Sequence, residues 1–289
     1  METANQEQAE YWSASPAGEN WLTYQDHLDQ VLQPVLDLVL DRATLRPGDR
    51  VVDIGCGAGT SVLAAAAHVG RAGHVLGADI SQPFLDRAAA IAAERGITHV
   101  DFQCADAQVA QLKGAPLDAA MSRFGVMFFE DPTAAFANIA RNLKPGAQIT
   151  FAAWAPVSEN PWFSIPVAAA KERLGDPPKA DPDAPGPFAF RDRDRVLGLL
   201  QAAGLVDVTA EPVPVHLTPA GDADALAQLS TRIGPATRIM SHFDAGPGDA
   251  HAIAATMRDA FAEYATPDGL RVPATINLFQ ARTADPQDT

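Results

Sequence analysis

The stretch VVDIGCGAGT (residues 51–60) decides the fold of this 289-residue chain. Its first four residues predict a buried strand that ends in a glycine-rich turn, and the apolar segment SVLAAAAHV that follows predicts a helix. Gly55, Gly57 and Gly59 permit positive φ angles and close approach of a ligand to the backbone, and the start of the helix offers N–H groups without intrahelical partners. The junction therefore predicts a binding site for a nucleotide-like molecule.

The composition fits a globular protein that does not bind nucleic acid. Hydrophobic residues make up 47% of the chain and charged residues 20%, which suits one large domain or two small ones. The formal net charge is -15, and no run of Lys or Arg provides the basic surface that binding to a phosphate backbone requires. We therefore exclude tRNA, rRNA and DNA as substrates.

Cysteine usage and the ends of the chain bear on its location. Cys56 and Cys104 follow no metal-ligand spacing, which is typical of reduced thiols in a cytoplasmic protein, although a disulfide between them stays open. The N-terminal METANQEQAEYW lacks the features of a signal peptide, and no run of about 18 apolar residues occurs later. We expect a cytoplasmic protein without a membrane segment, either a monomer or a homodimer.

Strands and helices alternate through the first half of the chain, which predicts a parallel sheet. The predicted strands of this part cover residues 51–54, 74–79, 100–104, 117–122 and 148–155. The predicted helices cover residues 21–42 (with a kink at Pro34), 60–69, 82–95 and 131–143.

The second half of the chain is less regular. Eight prolines in residues 156–190 predict a long loop that covers a site. Pro212 and Pro214 place the sixth predicted strand at an edge of the sheet. The elements predicted here are helices at 162–174 and 193–203, a strand at 206–217, two or three helices within 221–265, and a last strand at 271–284.

A carboxylate in the second strand points to the same ligand as the glycine turn. Asp79 lies 24 residues after Gly55, close to the spacing of about 20 residues at which an acid binds ribose hydroxyls. The fingerprint of a dinucleotide site needs a glycine where this chain has Thr60. Asp53 would repel a pyrophosphate but favour an ammonium group. These residues favour a nucleoside with a zwitterionic tail and leave an NAD-dependent oxidoreductase as a less favoured alternative.

Four motifs together resemble class I S-adenosylmethionine-dependent methyltransferases across residues 45–155. They are D-x-G-x-G-x-G within VVDIGCGAG, the strand end ADIS, the CADA of residues 104–107, and a later LKPG. The resemblance implies an α/β, Rossmann-like three-layer sandwich with helical cap insertions. Its mostly parallel sheet would have seven strands in the order 3-2-1-4-5-7-6, the last of them antiparallel.

The resemblance also implies S-adenosylmethionine as cofactor and assigns residues to it. The glycine turn would lie under the methionine part, Asp79 would bind the ribose, Ile80 would lie against the adenine, and Asp106 with Ala107 would read the adenine edge. The complete predicted cofactor set is Asp53, Gly55, Cys56, Gly57, Gly59, Asp79, Ile80, Asp106, Ala107 and Ser122.

The flanking segments WSASPAGENW, SRFGVMFFEDP and GPFAF resemble a bacterial small-molecule branch related to the ubiquinone/menaquinone C-methyltransferases. This resemblance implies a small, apolar or aromatic acceptor bound between the N-terminal helix, the loop after strand four and the inserted helices. The predicted lid and substrate residues are Trp12, Trp21, Tyr24, Arg123, Phe124, Met127 and Trp162. An ordinary hydrophobic cluster is the alternative interpretation of the rings among them.

The resemblance divides the chain into six segments. They are an N-terminal helical lid (1–44), a cofactor-binding core (45–155), a cap insertion (156–190), a continuation of the core (191–218), a helical cap (219–268), and the last strand and tail (269–289).

No metal is expected at the site. Catechol-type methyltransferases carry metal ligands after strands four and five, whereas the end of strand four here is Ser122-Arg123-Phe124, without a carboxylate. Arsenic methyltransferases need more than two thiols.

Transfer of an activated methyl group depends mainly on proximity and orientation, and a base is needed only if the acceptor must lose a proton. His27, His216 and His242 are candidate bases, although lone histidines are more often ordinary packing or surface residues. Arg123 is a further candidate because it follows the strand whose end should face the cofactor, or it pairs with a nearby carboxylate. The sequence leaves open whether O, N or C is methylated, and whether the protein only binds the cofactor.

Overall fold

The computed structural model describes residues 4–179 and 181–285, and a seven-stranded sheet forms its centre. The strands in chain order are β1 (Arg50–Ile54), β2 (His74–Asp79), β3 (Val100–Cys104), β4 (Leu117–Arg123), β5 (Leu143–Trp154), β6 (Leu205–Leu217), β7 (Ala265–Thr266), β8 (Gly269–Leu270) and β9 (Val272–Thr283). The short strands β7 and β8 pair only with each other.

The large sheet has the order β3-β2-β1-β4-β5-β9-β6. Strands β1 to β5 pair in parallel, and β9 is antiparallel to both β5 and β6. With the β7–β8 hairpin set aside, this is the expected order 3-2-1-4-5-7-6 with an antiparallel last strand, so the predicted fold is confirmed. The prolines Pro212 and Pro214 lie in β6, which forms an edge as predicted.

Helices flank the sheet. They are α1 (Gln6–Ala14), α2 (Pro16–Thr23), α3 (Gln25–Ala43), α4 (Thr60–Val69), α5 (Gln82–Glu94), α6 (Pro132–Arg141), α7 (Pro161–Leu174), α8 (Arg193–Ala202), α9 (Ala223–Ser230), α10 (Pro235–His242) and α11 (Pro247–Phe261). Helices α4 and α5 pack against the strands β1 to β3, and α6 packs against β5. Helices α7, α9, α10 and α11 pack on one another within the predicted cap segments.

Two predicted boundaries were wrong. The helix predicted from residue 21 begins at Gln25 and passes through Pro34, and the residues before it form α1 and α2. Helix α2 begins where Ser15 accepts hydrogen bonds from Ala17 and Gly18, ahead of a proline at the first helical position. The strand predicted from residue 148 begins at Leu143 as β5, opposite a register shift in β4.

The strand order reverses between β1 and β4, since β2 and β3 lie on one side of β1 and β4 and β5 on the other. Such a switch point leaves a crevice at the carboxyl ends of the strands, where open α/β sheets bind ligands. The glycine turn follows β1 directly and therefore lies at this crevice.

Candidate active site

A cavity of about 980 Å³ opens at the switch point. Its walls come from the glycine turn, the ends of β2 and β4, the N-terminal helices α1 and α2, the start of α7, and the segment from residue 231 to residue 242. Of the predicted cofactor set, six residues line it: Gly55, Gly57, Asp79, Ile80, Asp106 and Ala107.

Gly55 and Gly57 have different structural roles in the turn. A Cβ atom on Gly55 would lie 2.5 Å from the Cα atom of Gly125, so this glycine allows the β1 turn and the loop after β4 to touch. A Cβ atom on Gly57 would meet nothing within 4 Å. Because Gly57 has a φ of +54° and lines the cavity, its bare backbone faces open space in which a ligand fits.

Asp79 connects the end of β2 to the glycine turn. Its Oδ2 accepts a hydrogen bond from the Gly57 N–H at 2.8 Å, and its Oδ1 accepts one from the Ser81 N–H at 2.9 Å. Burial raises the pKa of Asp79, while these N–H groups act in the opposite direction. A carboxylate offers about four acceptor positions, so Asp79 can also accept from ribose hydroxyls in the cavity.

Asp106 is held by the N-terminal segment. Its Oδ2 accepts from the N–H groups of Ala4 and Asn5 at 2.7 and 3.0 Å, and its Oδ1 accepts from the Asn5 side chain at 2.8 Å and the Gln108 N–H at 3.0 Å. Although partial burial alone would raise the pKa of Asp106, the N–H groups of Gln108, Asn5 and Ala4 bring it below its usual value. These four bonds fill the acceptor capacity of the carboxylate. For Asp106 to accept a bond from adenine, one of these donors would have to move.

Asp53 lies fully buried beneath the turn. Its Oδ2 accepts a hydrogen bond from the Ser61 hydroxyl, while its Oδ1 has no hydrogen-bond partner within the described ranges. Burial raises the pKa of Asp53 to about 7, although the Ser61 hydroxyl and the charge of Arg123 oppose this rise. The buried Nη1 of Arg123 also lacks a partner among the described residues. The glycine turn thus has a carboxyl group below it and, in the cavity wall, a guanidinium group, and these opposite charges suit a ligand that carries both signs of charge.

Arg123, at the end of β4, forms an ion pair with Asp29 of α3. The distance from its Nη2 to Asp29 Oδ1 is 3.0 Å, and the two side chains are 13% and 21% exposed. Asp29 Oδ2 also accepts from the hydroxyl of Thr60 at 2.6 Å and from the Gln25 amide at 3.3 Å. The predicted pairing of Arg123 with a nearby carboxylate is thus present. Arg123 also lines the cavity, and its role toward a ligand stays a prediction.

Four members of the predicted cofactor set do not line the cavity: Asp53, Cys56, Gly59 and Ser122. The Ser122 hydroxyl donates to the Ile54 carbonyl at 2.7 Å and accepts from the Gly125 N–H at 3.1 Å, so it fixes the contact between the two loops. A Cβ atom on Gly59 would lie 2.8 Å from that of Ala88, so this glycine serves the packing of α4 on α5. Cys56 is a buried thiol whose pKa is raised well above its usual value by that burial.

The predicted lid rings meet over the cofactor side of the cavity. The Trp12 ring centre lies 5.7 Å from that of Trp21, 6.1 Å from that of Phe84 and 5.4 Å from that of Phe128. The Ser81 hydroxyl donates to the Trp12 carbonyl at 3.1 Å. Helices α1 and α2 therefore cover the ends of β2 and β4.

Aromatic rings form the wall of the cavity beyond β4. Phe124 has a φ of 69° and stacks on Trp154 with a centroid distance of 4.3 Å. Trp154 contacts Phe163 at 4.8 Å, and Phe163 contacts Phe188 at 4.9 Å. We call Phe124, Trp154, Phe163 and Phe188 the aromatic wall. The predicted residues Met127 and Trp162 line the same cavity.

Three other predicted residues lie elsewhere. Tyr24 and His27 line a separate cavity of about 400 Å³ between α3 and α9, and they do not line the large one. They lie on the side of α3 that faces α9, whereas Leu28 and Leu32 face the large cavity. His216 is exposed on the edge strand β6. Of the candidate bases, only His242 lines the large cavity.

Sequence reasoning missed several residues of the site. They are Asn5, Asp29, Trp154, Phe163, Phe188, Arg232 and Arg238. Their contacts join parts of the chain that are distant in sequence, and no motif marks them. Two signals were available: Trp154 stands at the end of the fifth predicted strand, and Phe188 lies within the quoted segment GPFAF.

Metal ligands and membrane-spanning helices are both missing from the described part of the chain. In residues 4–179 and 181–285, no three His, Cys, Asp or Glu side chains cluster as metal ligands would. No helix within these ranges combines the length and the apolar character needed to cross a membrane.

The segment that carries the glycine turn is similar to methyltransferases. Residues 51–146 match the family model described as a methyltransferase domain. Nocamycin O-methyltransferase from Saccharothrix syringae is 34% identical over 120 residues, which are 42% of this chain and 43% of that protein. Aklanonic acid methyltransferase DauC from Streptomyces sp. (strain C5) is 36% identical over 104 residues, which are 36% of this chain and 47% of that protein. The chain thus matches less than half of the length of either relative.

A solved structure extends the likeness to the fold. Haemonchus contortus phosphoethanolamine N-methyltransferase 2, in complex with S-adenosyl-L-methionine, matches with a TM-score of 0.53 at 17% identity and covers 87% of this chain and 52% of that one. At this identity the likeness concerns the fold alone. Residues 51–146 therefore match a methyltransferase domain, and the sheet of which they form the centre has a fold that this solved methyltransferase shares.

Proposed function

We propose that the protein transfers a methyl group from S-adenosylmethionine to a small organic acceptor. The observation that carries this proposal is the geometry of Asp79. Its carboxylate holds the Gly57 N–H of the glycine turn at 2.8 Å and keeps acceptor capacity beside a cavity large enough for two ligands. This arrangement lies within the segment that matches a methyltransferase domain.

The residues of the cavity fit the cofactor. Asp79 would hold the ribose hydroxyls, and Ile80 would lie against the adenine. The open space over Gly57 would take the methionine part, whose carboxylate would face Arg123 in the cavity wall. Asp53 lies below the cavity surface, so it would act on the ammonium group through its charge and not by direct contact. When bound, S-adenosylmethionine supplies a methyl group already activated by the positively charged sulfur.

The protein's own contribution is to orient the acceptor and exclude water. The aromatic wall presents flat apolar surfaces beside the end of β4, and helices α1 and α2 cover the opposite side. His242 would take up a proton from acceptors that must lose one. A neutral amine or an already ionised acceptor would need no base.

The relatives support a small organic acceptor, since one is named as an O-methyltransferase of nocamycin and the other as a methyltransferase of aklanonic acid. An apolar or aromatic acceptor, membership of the ubiquinone/menaquinone branch, a monomeric or dimeric state and a cytoplasmic location stay predictions. The match to a methyltransferase domain disfavours the alternative of an NAD-dependent oxidoreductase.

The proposal is tested by turnover. The purified protein is incubated with S-adenosylmethionine and a panel of phenols, quinones and amines, and S-adenosylhomocysteine and methylated product are measured by mass spectrometry. Formation of both in equal amounts supports the proposal. Tight binding of the cofactor without turnover on any acceptor would indicate a non-catalytic binding protein, and binding of NADH instead would indicate an oxidoreductase.

A further inference from the structure

The charged side chains that line the large cavity divide by sign. The acids are on the side of β2 and β3, and the bases are at the end of β4 and in the segment around α10. The complete set is Asp79, Asp106, Arg123, Arg232 and Arg238. In a chain with 36 acidic and 21 basic residues, the acceptor side of the cavity is thus lined by arginines and by no carboxylate among the described residues.

Two of these arginines have no acidic partner. Arg123 forms its ion pair with Asp29, whereas Arg232 and Arg238 form no ion pair within the part of the chain that the structure describes. Both are exposed side chains at the rim of the cavity. A guanidinium group at such a rim can bind a carboxylate through two parallel hydrogen bonds.

The N-terminal helices hold both arginines at the rim. The Arg238 guanidinium lies 5.9 Å from the centre of the Tyr11 ring of α1. The Asn20 side chain of α2 donates to the carbonyl of Arg232 at 3.1 Å. Both arginines therefore lie where the N-terminal helices meet the α9–α10 segment across the cavity.

We propose that the acceptor is an aromatic organic acid, whose ring lies on the aromatic wall and whose carboxylate is bound at the rim by Arg232 and Arg238. The wall runs from Phe124 beside the end of β4 to Phe188, and its four rings line the same cavity as Arg232 and Arg238, so one molecule can place a ring on the wall and a carboxylate at the arginines. The anion is bound away from the glycine turn, which leaves the opposite end of the molecule for methyl transfer. This inference rests on the proposed function, because it names the acceptor of the same site.

The test compares two probes that differ only in charge. Binding of 2-naphthoate and of the neutral 2-naphthamide to the full chain, with S-adenosylhomocysteine present, is measured by titration calorimetry at low salt. We expect the acid to bind about tenfold more tightly than the amide, as for a charge-assisted pair of hydrogen bonds, and the difference to shrink as salt is raised.

A matched pair of variants locates the effect. The double variant Arg232→Gln/Arg238→Gln should bind acid and amide equally while its affinity for S-adenosylhomocysteine stays unchanged. The control Arg71→Gln/Arg95→Gln removes the same charge from exposed positions after α4 and α5, outside the cavity, and should keep the preference for the acid. Equal binding by the unaltered protein, no binding of the acid, or a preference that survives in the first variant would overturn the inference. If the unaltered protein did not bind S-adenosylhomocysteine, the proposed function would be contradicted instead. The binding of 2-naphthoate and 2-naphthamide is then compared in the absence of S-adenosylhomocysteine, and the same results support or overturn the inference.

Discussion

Replacing Asp53 with asparagine should stabilise the protein and weaken cofactor binding at the same time. Burial raises the pKa of Asp53 from 3.8 to about 7, so the folded state holds its proton more tightly than the unfolded state. The contribution of protonated Asp53 to the free energy of unfolding is therefore complete below about pH 4. It falls as the pH rises toward 7 and does not change further above that pH. A difference of about 3 pKa units corresponds to roughly 4 kcal/mol at most.

An asparagine side chain carries no charge at this position, so the variant does not lose stability as the pH rises. Allowing about 1 kcal/mol for a poorer hydrogen bond with Ser61, we expect Asp53→Asn to be more stable than the unaltered protein by roughly 2–3 kcal/mol at pH 8, and by much less at pH 5. Urea unfolding at both pH values measures this difference. The control Asp37→Asn removes the same charge from an exposed position on α3 and should not give this stabilisation.

The same variant should bind S-adenosylhomocysteine at least tenfold more weakly at pH 8, because its neutral amide offers no negative charge to the ammonium group. If the stability difference did not grow between pH 5 and pH 8, the assignment of a raised pKa to buried Asp53 would be refuted. If stability behaved as expected but affinity did not change, Asp53 would have no part in holding the cofactor.

Two further predictions follow from contacts of the site. Asn5→Ala removes hydrogen bonds to Asp106 (2.8 Å), Gln108 (3.1 Å) and from Glu130 (2.6 Å), which stabilise the docked α1 by about 2–4 kcal/mol. Hydrogen exchange in α1 should become about 30-fold faster or more, with little effect in Gln6→Ala, and equal exchange in both variants would show that Asn5 does not hold the lid. Gly57→Ala should weaken binding of S-adenosylhomocysteine and destabilise the fold only by the strain of a left-handed alanine, about 1 kcal/mol, whereas Gly59→Ala carries the same strain and also collides with Ala88, so it should lower the melting temperature by several degrees more. If Gly59→Ala weakened binding and Gly57→Ala lowered the melting temperature more, Gly59 would face the ligand and Gly57 would serve the packing.

The residues of the site that could be predicted are those that lie close together in the sequence. The turn at Gly55 and Gly57 and the acid at Asp79 lie within one β–α–β unit, where a strand, a turn and a spacing are visible in about 30 residues. The sheet order followed from the family resemblance, and alternation of strands and helices supported it.

The remaining part depends on contacts between distant segments. Asn5 and Asp106 are 101 positions apart, and Arg123 and Asp29 are 94 positions apart, so no periodicity links them. His27 shares a helix with Leu28 and Leu32, yet it faces α9 while they face the large cavity. Helical spacing shows which residues share a face but does not show which element will cover that face.

Cofactor binding through Asp79 is measured by titrating S-adenosylhomocysteine into the pure protein and into Asp79→Ala in a calorimeter. We expect one molecule to bind per chain, with a dissociation constant in the micromolar range or below, and binding to fall at least tenfold when the Asp79 carboxylate is removed. No heat of binding in the unaltered protein would show that it does not bind this cofactor, and equal affinity in the two proteins would show that Asp79 does not hold it.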